Sequence, residues 1–163
     1  MAFNTGVVVG KFWPFHKGHH FLIDEALRQA DEVYVIVSGR QWETPHPSVR
    51  AKWILDSCSG VSRVSIVYPE HLGVADKDSA AWANLTINTL GFVPDACFTS
   101  EDYGKRWAKE MGCVHISVDP ERIKIPISGT EIRDDPMNHL DYLDPIVAEY
   151  YKLQAFNSYR MVI

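Results

Sequence analysis

The chain has 163 residues with 46% hydrophobic and 12% aromatic content, which is one domain's length and enough apolar side chain to fill one core without staples. Its formal net charge of −5 argues against a nucleic-acid partner, although a few local cations and backbone amides suffice to hold a nucleotide. No basic leader followed by an apolar stretch opens the chain, and no apolar run approaches the roughly 20 residues of a membrane span, so a cytoplasmic protein with no membrane partner is expected.

Gly6 to Gly10 is a short β-branched run and predicts a buried first strand. Gly18 to Ala30 carries Leu22, Ile23, Ala26, Leu27 and Ala30 at helical spacing. Glu32 to Val37 reads as a second buried strand ending at Ser38-Gly39, and Pro47 to Cys58 as a helix with Pro47 in its first turn. A strand over Val61 to Tyr68 and a helix over Asp78 to Leu90 follow. Ala96 to Thr99 predicts a fourth strand, and Glu101 to Met111 a helix that Thr99 or Ser100 would cap. Val114 to Val118 is a fifth strand, Ser128 opens a short helix, and Pro145 to Leu153 forms the last.

This alternation predicts a Rossmann-like α/β fold: a doubly wound, parallel, five-stranded sheet with helices on both faces, in one domain over 1–163. Ligands of such sheets bind outside the carboxyl ends of the strands at the switch point. That directs attention to the loops after Gly10, Ser38, Thr99 and Val118. The three cysteines, Cys58, Cys97 and Cys113, form no C-x-x-C pair and signal neither a disulfide framework nor a zinc knuckle. Cys97 and Cys113 lie in apolar runs and read as buried small hydrophobes.

The first loop is Gly10-Lys11-Phe12-Trp13-Pro14-Phe15-His16-Lys17-Gly18-His19-His20. A helix start offers unpaired amides and partial positive charge, and Gly18 lets a phosphate approach the backbone. His16 and His19, three apart, can each donate an N–H to one anion. Half a metal site is the competing reading, but no partner ligands stand out. A P-loop is rejected because the run is one residue short and Phe12 replaces the required Ser or Thr. Phe12, Trp13 and Phe15 also suit a core. The second segment is Ile127-Ser128-Gly129-Thr130-Glu131-Ile132-Arg133. A capping box accounts for Ser128 and Glu131. It accounts neither for Gly129 nor for Thr130 and Arg133 one turn apart, which suit a second phosphate cradle.

Together, G-x-F-x-P-x-H-x-G-H and I-S-x-T-x-I-R resemble the nucleotidyltransferase superfamily. G-K-F-W-P-F-H-K-G-H resembles its archaeal and bifunctional nicotinamide-nucleotide adenylyltransferases. The pantetheine-phosphate branch usually has Thr in place of His16, and the cytidylyl branch an Asp at or beside Pro14. The chain to about Tyr151 is most similar to the adenylyltransferase half of the bifunctional nicotinamide-nucleotide adenylyltransferase/ribosylnicotinamide kinase family. Thr99-Ser100-Glu101-Asp102-Tyr103-Gly104, Val118-Asp119-Pro120-Glu121-Arg122 and Asp135-Pro136 keep its order. The kinase and DNA-binding domains of some relatives are not expected in 1–163.

The resemblance implies in-line attack by the 5′-phosphate of nicotinamide mononucleotide on the α-phosphorus of ATP, giving NAD and pyrophosphate. It implies His16, His19 and Arg133 as catalytic residues. Gly10, Lys11, Phe12, Gly18, Ser100, Ser128 and Thr130 would form the ATP site. Mg2+ would be held mainly by ATP phosphates, with no metal-ligand set in the protein. Ser38, Gly39, Arg50 and Trp82 would face the nicotinamide nucleotide, Trp82 by stacking on the pyridine ring, a contact of about 0.5–2 kcal/mol. A core role for Trp82 and a solvated helix role for Arg50 stay open. Asp119 and Arg122 match the pattern without a physical role. His46, His71, His115 and His139 read as surface or hydrogen-bonded, and Trp53 and Trp107 as core. A homo-oligomer, another phosphorylated acceptor and a non-catalytic nucleotide sensor all remain compatible with the sequence.

Overall fold

The structure, a computed structural model, describes residues 1–68 and 78–161. Five strands, β1 (Phe3–Gly10), β2 (Ala30–Val37), β3 (Val64–Val67), β4 (Ala96–Thr99) and β5 (Val114–Ser117), form an all-parallel sheet in the order β3-β2-β1-β4-β5. Six α-helices connect and flank them: α1 (Lys17–Gln29), α2 (Pro47–Ser57), α3 (Ser79–Leu90), α4 (Tyr103–Met111), α5 (Gly129–Asp134) and α6 (Pro145–Arg160). This is the doubly wound fold that the alternation predicts.

The central strands β1, β2 and β4 bury their apolar stretches on both faces, whereas the edge strands β3 and β5 have no fully buried residue. Successive side chains point to opposite sides of the sheet. Val8, Val33, Val35, Val37 and Phe98 meet Leu22, Ile23 and Ala26 of α1, Trp53 and Ile54 of α2 and Val147 of α6. Val7, Ile36 and Cys97 meet Ala83 of α3 and Trp107, Ala108 and Met111 of α4. Each such large aliphatic or aromatic side chain contributes roughly 1.5–3 kcal/mol on burial. Trp53 and Trp107 are therefore core, as their spacing predicts.

Several boundaries differ from the sequence expectation, each for a local reason. β1 starts at Phe3 because Asp95 accepts from the Asn4 and Thr5 amides at 2.9 Å each, a polar tether that apolar periodicity cannot register. The edge strand β3 is shorter than 61–68, with Val61 and Arg63 in the turn before it. Neither Thr99 nor Ser100 caps α4; Asp102 holds that position without a side-chain bond, and the Thr99 hydroxyl instead pairs with His115 Nε2 at 2.8 Å. α6 continues past Leu153 to Arg160, with Leu153, Phe156 and Tyr159 facing solvent rather than the core. Cys97 is fully buried as expected, but Cys113 is only half-buried, at the edge of the second cluster. Among the described residues no helix is long and apolar enough to cross a membrane.

The connections leave β1 and β4 in opposite directions, so the switch-point crevice opens between their carboxyl ends. Backbone bonds from Ser38 N to Gly10 O (2.8 Å) and from Val118 N to Thr99 O (2.9 Å) carry the sheet to the foot of the loops above it. The corner between β4 and α4 is close-packed at Gly104, where a Cβ would overlap Thr99 Oγ1 and stand 2.5 Å from His115 Nε2. Gly104→Ala is expected to cost about 1–3 kcal/mol, measured as a lower urea midpoint at an unchanged m-value. An unchanged midpoint would show that this corner has room to spare.

Candidate functional site

The loop after β1 turns sharply at Phe12, whose φ of 48° is in the left-handed region. The Phe12 and Phe15 side chains are buried beneath the loop, so Phe12 can offer a ligand only its backbone and ring edge. Above them α1 begins with a cap made of two histidines. His16 is the N-cap; its Nδ1 accepts from Gly18 N at 3.0 Å, and its own amide donates to His19 Nδ1 at 3.3 Å. The two rings stack at 3.8 Å between centroids, and Phe12 packs on His19 at 4.9 Å.

This cap decides the chemistry of both rings. A backbone N–H can only donate, so each Nδ1 must be bare and each neutral ring carries its proton on Nε2. Protonating Nδ1 would oppose two hydrogens. Burial also disfavours the cation and, with the Arg122 and His20 charges, holds His16 down at about 4 against 6.5 for the free side chain. Burial, followed by the His16 and His20 charges, lowers His19 as well. At neutral pH the loop therefore presents two uncharged Nε2–H donors at a helix N-terminus.

The second motif meets the first across a contact with no spare space. Ser128 caps α5, with Oγ accepting from Glu131 N and the Glu131 carboxylate accepting from Ser128 N at 2.8 Å. A Cβ on Gly129 would lie 2.7 Å from the Trp13 carbonyl oxygen, so the glycine is required by close approach. Arg133 Nη1 donates to that same oxygen, Nη2 donates to Thr130 Oγ1 at 3.2 Å, and the guanidinium stands 4.5 Å from the Trp13 ring. His16, His19, Gly18, Ser128, Thr130 and Arg133 all line one cleft of about 530 Å³.

The opposite wall comes from the ends of β4 and β5. Ser100, Glu101 and Tyr103 line it with Asp119 and Arg122. Asp119 (φ 44°) accepts from the amides of Ile123, Lys124 and Ile125 at 3.0–3.2 Å and so shapes the turn. Arg122 (φ 52°) reaches across to Glu101 at 2.8 Å. Among the described residues, the non-glycine residues with positive φ are Phe12, Asp119 and Arg122, and all three line the cleft, where backbone strain tends to gather. The sequence pointed to Ser100 and to the loops after Thr99 and Val118, but gave no physical role for Asp119 or Arg122.

A second pocket of about 300 Å³ shares Val9, Gly10, Lys11 and Tyr103 with the first. Its own lining includes Ser38, Trp82, Thr86 and Trp107. Trp82 is thus both partly packed on the core and open to a pocket. Arg50 is placed differently from the sequence expectation. Arg50 is fully buried, its Nη2 on Glu43 at 2.6 Å and its Nη1 on the Lys11 carbonyl oxygen at 2.8 Å. It is neither a solvated helix arginine nor open to a phosphate, because both its outer nitrogens are spent on the loops. Gly39 packs over that pair, where a Cβ would stand 2.7 Å from Glu43 Oε2. Burial alone would raise the Glu43 carboxyl, but bonds from Arg50 and Lys11 outweigh it and leave the group below its ordinary value. Among the described histidines, His46 caps α2 through Ser48, His115 pairs with Thr99 and His139 with the Asp135 carbonyl oxygen, while His71 lies outside the described residues.

A parallel sheet whose switch-point crevice is walled by a two-histidine helix start and by a second helix start bearing arginine defines a nucleotidyltransferase-type domain. The chain belongs to the Cytidylyltransferase-like family, whose profile matches residues 7–135 and so spans both motifs. It is 28% identical over 166 residues to the trifunctional NAD biosynthesis/regulator protein NadR of Salmonella typhimurium (strain LT2), covering 91% of this chain and 40% of that protein. It is 25% identical over 142 residues to the tRNA(Met) cytidine acetate ligase of Lactobacillus acidophilus, covering 84% and 32%. The chain thus spans less than half the length of these curated relatives. The solved bifunctional NMN adenylyltransferase/ADP ribose pyrophosphatase from Francisella tularensis shares the fold, with a TM-score of 0.70 at 20% identity over 94% of this chain and 49% of that one.

The histidine cap makes stability depend on acid. Between pH 6.5 and about 4 an unfolded His16 takes up a proton that the folded one refuses. The contribution is therefore complete above pH 6.5 and is lost on acidification, by on the order of 3 kcal/mol in all. His16→Asn keeps a capping acceptor but does not titrate, so its melting temperature is expected to fall less steeply than wild type from pH 6.5 to 4. Parallel slopes would refute the neutral, buried histidine.

Proposed function

We propose that the chain transfers AMP from ATP to nicotinamide mononucleotide, forming NAD and pyrophosphate. The observation that carries this reading is the pairing of two pockets at one seam. One holds the two Nε2–H donors and Arg133; the other is lined by the half-buried Trp82; Gly10 and Lys11 line both. The similarity to NadR, by name an NAD biosynthesis protein, supports the same substrates.

In this reaction an oxygen of the acceptor's 5′-phosphate forms a bond to the α-phosphorus, and the bond from that phosphorus to the bridging oxygen of the β-phosphate breaks. The acceptor is already an anion, so no general base is required. The protein's work is to bring two anions together and to stabilise charge at the reacting centre and on the leaving group. His16 and His19 donate from Nε2 to the triphosphate, with His19 nearest the transferred phosphoryl. Arg133, Thr130 and the start of α5 hold the β- and γ-phosphates. Neutral donors suit this task because they do not trade a proton with the phosphates. Trp82 stacks on the pyridinium.

Mg2+ carried on the phosphate oxygens with water would offset charge on the leaving pyrophosphate. The likeness to a tRNA cytidine acetate ligase favours testing a second acceptor class beside the mononucleotide.

The direct test is pyrophosphate release from ATP and Mg2+ across a panel of acceptors: nicotinamide mononucleotide, nicotinate mononucleotide, phosphopantetheine and acetate. Release with a pyridine mononucleotide is expected; release only with another acceptor redirects the reading, and none with any overturns it. His19→Ala is expected to lower kcat roughly 10²–10³-fold with a much smaller effect on ATP binding. Trp82→Ala is expected to raise KM for the mononucleotide and leave KM for ATP unchanged. Loss of the circular-dichroism signal in Trp82→Ala would assign that side chain to the core instead.

A further inference from the structure

One buried carboxylate joins the two loops that flank the seam. Glu43 lies between β2 and α2 with its side chain 6% exposed. One oxygen accepts from Lys11 Nζ at 3.1 Å, and the other from Arg50 Nη2 at 2.6 Å. Arg50 closes the circuit by donating from Nη1 to the Lys11 carbonyl oxygen at 2.8 Å. Lys11 is thus held at both ends, its backbone by Arg50 and its ammonium by Glu43. Trp13 Nε1 donates to the Thr44 carbonyl oxygen at 3.0 Å, tying the same two loops a second time.

Two features set this circuit apart from a packing device. Lys11 is half exposed and lines both pockets, so it stands at the seam that the two pockets share. Arg50 is fully buried and bonds both Glu43 and the Lys11 backbone, so the Lys11 main chain and ammonium are tied to one fixed pair. A lysine has a long flexible stem, and an unheld ammonium would sample many positions. An ion pair to an immobile carboxylate selects one. Lys11 at 5.9 Å, Arg50 at 5.4 Å and Arg133 at 4.5 Å surround the Trp13 ring, and of these Lys11 and Arg133 line the cleft.

We propose that Glu43 is a positioning residue for the transfer: through its ion pair it sets Lys11 at the seam between the triphosphate cleft and the tryptophan pocket. This rests on the nucleotidyl-transfer reading above. Glu43 touches neither substrate; it acts through Lys11, and Lys11 meets the charge that builds as the phosphates approach.

The test is a double-mutant cycle on kcat, with Glu43→Gln, Lys11→Met and the double variant. Each single variant is expected to lose roughly 10–100-fold in kcat with little change in KM for ATP, and the double variant to lose no more than Lys11→Met alone. Losses that multiply would show that Glu43 does not act through Lys11 and would overturn the proposal. Glu43→Gln leaves Arg50 uncompensated and is checked for folding by its melting temperature. If it fails to fold, Lys11→Arg decides: this half-exposed position tolerates the change, the charge is kept and its location moves. A fall in kcat at an unchanged melting temperature supports the proposal, and wild-type kcat overturns it. Wild type is assayed first. No pyrophosphate release from wild type with any acceptor sinks the nucleotidyl-transfer reading itself, whereas an active wild type with multiplying losses sinks only the role of Glu43.

Discussion

The site depends on how the first turn of α1 is closed. A helix start leaves backbone amides unpaired, and most helices satisfy one or two with a serine, threonine or aspartate. Here two imidazoles do so, His16 for the Gly18 amide and His19 for the His16 amide. An aspartate would satisfy the same amide but place a negative charge at the cleft. The imidazole gives a neutral cap with a donor left over. One local constraint thus orders the loop, sets the tautomer of both rings and aims two N–H groups at the mouth of the cleft.

The rest of the site is attached to that turn through Trp13. Its carbonyl oxygen takes Arg133 and leaves no room for a side chain at residue 129. Its ring is approached by Lys11, Arg50 and Arg133, and its indole N–H holds Thr44. Elements distant in sequence, the loops after β1 and β2 and the start of α5, therefore share one aromatic hub. The sheet contributes the fixed base, because the Gly10–Ser38 and Thr99–Val118 backbone bonds place those loops relative to one another.

The fold was largely legible because both cores are built from periodic apolar residues, and the β4 bounds at Ala96–Thr99 were predicted as observed. What escaped is polar. Asp95 extends β1 by hydrogen bonds to Asn4 and Thr5, and no hydrophobic pattern records that. The two candidate phosphate-binding segments were readable because glycine, histidine and arginine cluster around two short helix-opening stretches, and the structure brings His16, His19, Thr130 and Arg133 to one cleft. Glu43 was invisible for the opposite reason: an isolated glutamate in a polar loop reads as solvated, and only folding reveals that it is buried between two cations. Arg50 was misplaced by the same logic, since a helix arginine ordinarily faces water. Asp119 and Arg122 act through left-handed backbone, which side-chain spacing does not encode.

The claim on which the rest stands is that His16 and His19 are neutral with their protons on Nε2. Nitrogen-15 NMR of the imidazole rings reads this directly, with His16→Asn and His19→Asn used to assign the signals. The account predicts the Nε2–H tautomer for both rings at neutral pH, with His16 resisting protonation until about pH 4. A proton on Nδ1 of either ring, or imidazolium signals near pH 7, would contradict it.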